Sequence, residues 1–222
     1  MDLHGLAQLL RGALPVMLTG AGYTLVLAVA SVIFGAVLGT VVAVTRMAKV
    51  PLLSPFATLY VSCMRGTPLL VQLFVIYFGL PSIGIQFGAI TSGILGLSLN
   101  VGAYLSETIR GAINGVDHGQ WNAARSLGLS QAQTLRYIIG PQALRLAVPS
   151  LSNSLISLIK DTSLVSVISV RELMLSTKTV IATTFQPFPL YLLAAGIYWV
   201  MSAFFETLQK KLETRLNRSY LR

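Results

Sequence analysis

Four ionisable residues lie within long apolar runs of this chain: Arg65, Glu107, Lys160 and Asp161. A charged side chain is costly inside a bilayer, and one that occurs there usually has a function. The four formal charges sum to zero, as do the charges of a small zwitterion. A guanidinium group binds a carboxylate through two hydrogen bonds, and a carboxylate accepts an ammonium group. We therefore predict that Glu107 and Asp161 face the amino groups of a zwitterionic substrate, and that Arg65 or Lys160 faces its carboxylates.

Three of these charges also have a structural interpretation. Glu107 lies one helical turn before Arg110 and is able to pair with it. Lys160 is long enough to reach the membrane interface. Arg65 is placed to cap broken backbone near residues 66–68 and to stabilise a dimer. These interpretations stay open beside the substrate role.

Two uncharged polar residues, Asn100 and Gln72, are further candidates to line a substrate path. Alternatively, they form hydrogen bonds between helices, as polar side chains in membrane proteins commonly do. The two histidines, His4 and His118, have no partners at metal-ligand spacing. Because Cys63 is the only cysteine, a disulfide within the chain is excluded, and no metal site is predicted.

The elements that carry these residues are apolar. The chain is 54% hydrophobic and 10% charged, with a mean hydropathy of +0.74. A soluble domain has about 25% charged residues. Arg11 and Arg46 enclose 34 residues without a charge, whereas about 20 apolar residues are enough to span a bilayer. The composition therefore predicts an integral membrane protein built from α-helices.

The hydropathy pattern predicts one transmembrane domain over residues 1–222. Its five spans are expected at residues 23–44, 59–80, 89–109, 146–167 and 188–208. Prolines, which break helices, stand near the junctions. The basic, polar segment 117–141 separates the third span from the fourth, and we call it the insert.

The basic residues predict the orientation. One side of the membrane collects eleven of the sixteen: Arg46, Lys49, Arg110, Arg125, Arg136, Arg145, Lys210, Lys211, Arg215, Arg218 and Arg222. Because basic loops stay in the cytoplasm, the N-terminus is predicted to face outward, and the insert and the C-terminus to face the cytoplasm. This distribution accounts for the net charge of +9 without a nucleic-acid partner, and membrane lipid is the expected surrounding.

The insert is predicted to fold as two short helices. Two residue pairs have the spacing of a capping box, which begins a helix: Asp117 with Gln120, and Ser130 with Gln133. Gly128 suits the left-handed turn that ends the first helix. Gly140 and Pro141 are predicted to end the second helix.

The first of these helices has the chemistry of a docking surface. Small side chains let a helix enter a groove, an aromatic ring adds buried area, and an arginine adds a charge-assisted contact. The candidate coupling residues are Trp121, Asn122, Ala123, Ala124, Arg125 and Gly128. An amphipathic helix pair lying on anionic lipid is the alternative interpretation.

The sequence GQWNAARSLGLSQAQTLRYIIGPQALRLAVPSLSN closely resembles the cytoplasmic signature of bacterial ABC importer permeases. The positions that match are Ala123, Ala124, Gly128, Ile138 and Pro141. Asn122 stands where that family usually has glutamate, and Gly140 where it usually has leucine. The missing glutamate removes an acidic contact from the expected docking surface.

Further motifs resemble the polar amino-acid permeases within that family. Arg65 begins an Arg-Gly-Thr-Pro sequence that is followed by Gln72. Other matches are Leu99-Asn100, Ala103-Tyr104, Glu107, and Lys160 through Leu164. The stretches GLSLN, LSNSLISLIKDTSL and LNR are most similar to permeases for L-cystine and related diamino dicarboxylates.

The resemblance implies a type I ABC importer permease fold with a cytoplasmic coupling helix, in the bacterial inner membrane. It implies import of polar amino acids, with L-cystine as one candidate and glutamine, arginine or histidine as others. It also implies a second permease subunit (a copy of this chain or a sister), an ATPase docked on the insert, and a periplasmic or lipid-anchored amino-acid-binding protein. A secondary transporter or a membrane-embedded enzyme is the alternative class.

The chain itself supports a separate ATPase. It contains no Gly-Lys dipeptide and hence no P-loop to hold nucleotide phosphates. ATP and magnesium are therefore expected on the partner, and no cofactor is expected on this chain. No nucleophile and base, and no set of metal ligands, stands out for a membrane-embedded enzyme.

Overall fold

The computed structural model describes residues 3–218, and the side chains of residues 4–215 within them. The α-helices are Leu3–Met47 (α1), Leu53–Gly66 (α2), Leu69–Phe74 (α3), Ala89–Asn114 (α4), His118–Ser126 (α5), Gln131–Gln133 (α6), Gly140–Asp161 (α7), Leu173–Thr184 (α8) and Pro187–Arg218 (α9). Two π-helical segments, Val75–Gly79 and Thr134–Ile139, and two 3₁₀ segments, Leu80–Ile83 and Thr162–Ile168, continue these helices. The part of the chain that is described contains no strand, so the all-α prediction is confirmed. Arg222, counted above on the basic side, lies outside the described residues.

Three helices of the described chain are long and apolar enough to cross a membrane: His4–Met47, Ala89–Asn114 and Pro187–Arg215. A fourth candidate is α2 together with residues Leu69–Ile83, which are bent by 110° relative to it. The segment 146–167, predicted as the fourth span, corresponds to α7 and the 3₁₀ segment after it, and its polar residues keep it out of this set. That the chain crosses the membrane five times therefore stays a prediction.

The bend between α2 and α3 follows from local sequence. Thr67 has extended backbone at the end of α2, and Pro68 precedes α3. A proline disfavours helical backbone in the residue before it, so the chain turns here. The segment 59–80 is therefore two helices joined at an angle, and the bend frees backbone carbonyl groups inside the molecule.

The core is organised around the packing of α1 against α4. Gly35 and Gly39 of α1 meet the backbone of α4: a side-chain carbon built on Gly39 would stand 2.8 Å from the carbonyl oxygen of Gly102. Small residues at four-residue spacing allow two helices in lipid to approach this closely. A second buried cluster joins α1 to α8 and α9 through Met17, Leu173 and other apolar residues.

The predicted helix end at Gly140 and Pro141 is wrong. The segment Thr134–Ile139 is π-helical and leads directly into α7. The Gly140 N–H donates to the carbonyl of Leu135, five residues back, which is the π-helical pattern. Pro141 then lies in the first turn of α7, where its lack of an N–H is tolerated. The second helix of the insert is thus continuous with α7.

Candidate functional site

A groove of about 460 Å³ opens beside the bend between α2 and α3. The bend contributes Thr67, Pro68 and Leu69, α4 contributes Asn100, Val101 and Tyr104, and α7 and the segment after it contribute Asn153, Ser154, Ser157, Leu158, Asp161 and Leu164. Two of the predicted site residues, Asn100 and Asp161, therefore line one groove although 60 residues separate them. Its walls combine apolar surface with hydroxyl, amide and carboxylate groups, which suits a small polar ligand.

Gln72 holds Asn100 in place from behind the groove. The Asn100 amide nitrogen donates to Gln72 Oε1 at 3.1 Å and to the carbonyl of Met64 at 3.2 Å. The Gln72 amide nitrogen donates in turn to the carbonyls of Met64 at 2.9 Å and Thr67 at 3.1 Å. These carbonyls lie at the end of α2, where helical partners are missing. The two amides therefore satisfy the broken backbone, and Gln72 is 7% exposed.

Arg65 reaches the groove through an aromatic neighbour. Its guanidinium carbon lies 5.4 Å from the centre of the Tyr104 ring, a cation–π contact. Tyr104 lines the groove, whereas Arg65 is exposed and is not one of the lining residues. The Arg65 charge is thus held beside the groove.

Asp161 and Lys160 adopt different positions at the end of α7. Asp161 is half-buried and lines the groove, whereas Lys160 is exposed and does not. Adjacent residues on a helix lie about 100° apart around its axis, so the two side chains leave α7 in different directions. The structure therefore separates the two charges that the sequence places side by side.

Glu107 is engaged by two arginines. Its Oε1 accepts a hydrogen bond from Arg46 at the end of α1, and its Oε2 accepts from Arg110 Nη2 at 2.6 Å and Nε at 3.1 Å. The Arg110 contact is the structural interpretation given above. Arg46 was not predicted as a partner because 61 residues separate it from Glu107. Glu107 does not line the groove, and the three residues join the ends of α1 and α4.

The two helices of the insert begin with caps of different kinds. Asp117 caps α5 by accepting from the backbone N–H of Gly119 at 2.6 Å, so the predicted capping box with Gln120 is wrong. The Gln120 side chain instead accepts from Gln142. The predicted box between Ser130 and Gln133 is present, and Gly128 has the expected left-handed backbone, with φ of +73°.

One face of α5 packs inward and the other is free. Ala124 is buried, and Trp121 packs against a cluster that includes Ile113 of α4 and Ile139. Asn122, Ala123, Arg125 and Gly128 are exposed. A cleft of about 450 Å³ is lined by Asn114, His118, Trp121, Asn122 and Arg125. The free face is small and polar, with one basic group.

Glu172, which was not predicted as a functional residue, is fully buried. Its carboxylate caps α8 by accepting from the N–H groups of Met174 and Leu175, both at 2.9 Å. It also accepts from the hydroxyls of Tyr198 at 2.7 Å and Thr24 at 3.4 Å. Burial raises the pKa of this carboxyl, and these hydrogen bonds oppose the rise. Glu172 thus ties α1, α8 and α9 together. Glutamate is not among the preferred N-cap residues, so its type gave no signal of this role in the sequence.

The apolar helices, the bent helix beside a polar groove and the packed insert define a membrane-embedded transport component. Residues 35–218 match the family model described as binding-protein-dependent transport system inner membrane component. The chain belongs to this family. Its members translocate substrate without catalysing a reaction, and the family implies an ATPase partner and another permease subunit.

Individual relatives confirm the resemblance to polar amino-acid permeases. The chain is 45% identical over 201 residues to a probable amino-acid ABC transporter permease, YckA of Bacillus subtilis, covering 90% of this chain and 89% of the relative. It is 43% identical over 205 residues to the L-cystine transport system permease TcyB of the same organism, covering 92% and 88%. A crystal structure of an amino acid ABC transporter with histidines superposes with a TM-score of 0.90 at 36% identity, covering 97% of this chain and 99% of that one.

Proposed function

We propose that the chain translocates polar amino acids, with L-cystine or a related diamino dicarboxylate as the first candidate. Glutamine, arginine and histidine are the alternatives. The observation that carries this function is the groove beside the bend at Pro68, which Asn100 and Asp161 both line. Similarity to the cystine permease favours cystine, whereas similarity to the transporter structure with histidines favours a basic or polar amino acid.

The groove residues suit the two ends of an amino acid. The Asp161 carboxylate is suited to an ammonium group, and the hydroxyls of Ser154 and Ser157 and the Asn100 amide to a carboxylate. Arg65 contacts the Tyr104 ring and so places a positive charge beside the groove, and Gln72 positions Asn100. Neither Glu107 nor Lys160 lines the groove. Contact of these two residues with substrate is therefore a prediction that the groove does not support.

Transport by the reconstituted complex tests the substrate. Labelled L-cystine would be supplied with the complete importer in vesicles, and unlabelled L-cystine, diaminopimelate, glutamine, arginine and histidine would compete for uptake. We expect cystine and diaminopimelate to compete best, since each has two amino and two carboxylate groups. Stronger competition by glutamine or by a basic amino acid would contradict the cystine assignment and leave the amino-acid permease assignment intact.

Delivery of the substrate and the orientation belong to the same mechanism. A periplasmic or lipid-anchored binding protein would deliver the amino acid to the outer face, and the insert would contact the ATPase in the cytoplasm. The clustering of basic residues supports this orientation. Protease access to tags at the two ends of the chain, in sealed inner-membrane vesicles of known sidedness, tests it. A protected C-terminal tag in vesicles whose cytoplasmic face is outward would contradict it.

A further inference from the structure

One face of α9 is open along its length. Trp199, Val200, Phe204 and Leu208 are between 53% and 72% exposed. They contribute to a shallow groove of about 480 Å³, which is lined only by α9. A second groove of about 340 Å³ follows it and shares Thr207 and Lys211 with it. The two form one continuous surface, apolar at Trp199 and basic at Arg215.

The basic end of this surface has uncompensated positive charge. The nearby acidic residues are engaged elsewhere: Glu206 pairs with Lys210 at 2.9 Å, and Glu213 accepts from Gln209 at 2.7 Å. Within the described residues, Lys211 and Arg215 form no ion pair, and both are exposed. Two cations on one side of a helix therefore face outward without an ion-pair partner among the described residues.

The dimensions of the surface match half of a bilayer. At about 1.5 Å per residue, the distance along the helix from Trp199 to Leu208 is about 14 Å. One leaflet of the hydrocarbon core is about 15 Å thick. The cations follow directly after this apolar length, at the depth where lipid phosphates lie. An acyl chain along the apolar part therefore places its headgroup against Lys211 and Arg215.

We propose that this surface of α9, from Trp199 to Arg215, is a binding site for an anionic phospholipid of the leaflet in which α9 ends. The acyl chains lie against Trp199, Phe204 and Leu208, and the headgroup phosphate binds Lys211 and Arg215. Charge complementarity selects an anionic headgroup over a zwitterionic one, since clustered cations beside a membrane helix attract anionic lipid. This site is separate from the substrate groove and does not depend on which amino acid is carried.

Trp199 reports on this site directly. The chain has two tryptophans, and Trp121→Phe leaves Trp199 as the only one. The full-length chain with this change would be reconstituted in phosphatidylcholine vesicles that contain a minor fraction of brominated lipid, which quenches tryptophan on contact. We expect brominated phosphatidylglycerol to quench Trp199 more than brominated phosphatidylcholine at the same mole fraction. We also expect the difference to shrink as salt is raised.

Matched variants separate the headgroup contact from general contact with lipid. Lys211→Gln with Arg215→Gln is expected to lower the preference for phosphatidylglycerol on the order of tenfold. The charge-preserving pair Lys211→Arg with Arg215→Lys is expected to retain it. Lys49→Gln with Arg136→Gln removes the same charge elsewhere and is also expected to retain it.

Two results would overturn the site. Equal quenching by both brominated lipids would show a lipid-facing surface without headgroup selection. Absence of quenching by either lipid would show that another copy of this chain, and not lipid, covers this face of α9.

Discussion

Asp161 carries the only formal charge among the residues that line the groove. If it binds the substrate ammonium group, Asp161→Asn removes a charge-assisted hydrogen bond, which contributes about 1.5–3 kcal/mol. We expect kcat/KM for transport to fall by about one to two orders of magnitude, chiefly through a higher KM. Uptake of labelled substrate by the reconstituted complex, at equal protein content, measures this change.

The neighbouring Lys160 provides the control. Lys160→Gln removes a charge next to Asp161, from a side chain that lies outside the groove. We expect it to lower transport much less than Asp161→Asn. A larger loss in Lys160→Gln, or unchanged transport in Asp161→Asn, would place the substrate elsewhere.

Glu107 is predicted to act on stability more than on substrate binding. Glu107→Gln leaves the guanidinium groups of Arg46 and Arg110 facing each other without an anion. Removing the shared partner of two cations should destabilise the packing of α1 on α4 by about 1–3 kcal/mol. The thermal unfolding midpoint of the purified complex is the measurement.

Arg110→Gln distinguishes this role from substrate binding. Arg110 is 41% exposed and Arg46 18%, so loss of Arg110 still leaves Glu107 paired with the more buried arginine. We expect a smaller fall in the unfolding midpoint than for Glu107→Gln. If Glu107→Gln keeps the midpoint and raises KM instead, Glu107 contacts substrate.

At the scale of single residues, the sequence predicted which charged residues are notable better than it predicted the residues that they contact. Charges in apolar segments singled out Asp161, which lines the groove, and helical spacing predicted the pair of Glu107 with Arg110. The contact between Arg46 and Glu107 depends on how α1 and α4 cross, which local spacing does not encode. Glu172 was missed for a similar reason, because Thr24 and Tyr198, two of its partners, come from distant helices.

Among the elements, the pair of α1 and α4 offers a direct test of close packing. A methyl group at Gly39 would stand 2.8 Å from the backbone oxygen of Gly102, which has little freedom to move. Overpacking of this kind costs about 1–3 kcal/mol. We expect Gly39→Ala to lower the unfolding midpoint and the yield of folded protein in detergent.

Gly22→Ala is the matched control on the same helix. A side-chain carbon at Gly22 meets nothing within 4 Å, and alanine favours helix over glycine by about 1 kcal/mol. We expect an unchanged or slightly higher unfolding midpoint. Equal losses in the two variants would contradict close packing of α1 on α4.

The helices also show what a local pattern leaves undetermined. Broken backbone was expected near residues 66–68, although the segment 59–80 was predicted as one span; Thr67 before Pro68 is extended, and no helix continues through it. Gly140 and Pro141 were read in the same way, yet the helix continues, because a π-helical segment absorbs the missing hydrogen bond. The same residue types end one helix and continue another, and the packing of Ile139 and Ala143 in a buried cluster favours continuity here.

For the whole molecule, the packing of the insert determines how force would pass from an ATPase to the groove. Trp121 packs against a buried cluster that contains residues of α4 and α7, and the second helix of the insert continues into α7, which carries Asp161. A displacement of α5 by a docked ATPase would therefore reach the groove through packed side chains and one continuous helical path. Gly128, between the two helices of the insert, sets their relative direction.

Gly128→Val is predicted to weaken docking of the ATPase and thereby to lower both substrate-stimulated ATP hydrolysis and transport. Gly128 has φ of +73° and open space around it. A valine there would therefore strain the backbone without a steric clash. A β-branched residue is rarely found in this conformation, and we expect the turn to change direction.

Gly111→Val is the control, because Gly111 lies at the same end of the molecule in ordinary helical backbone with nothing within 4 Å. ATPase co-purification, substrate-stimulated ATP hydrolysis and uptake should all fall severalfold in Gly128→Val and stay near normal in Gly111→Val. A Gly128→Val complex that stays assembled and transports normally would show that the ATPase does not depend on this turn.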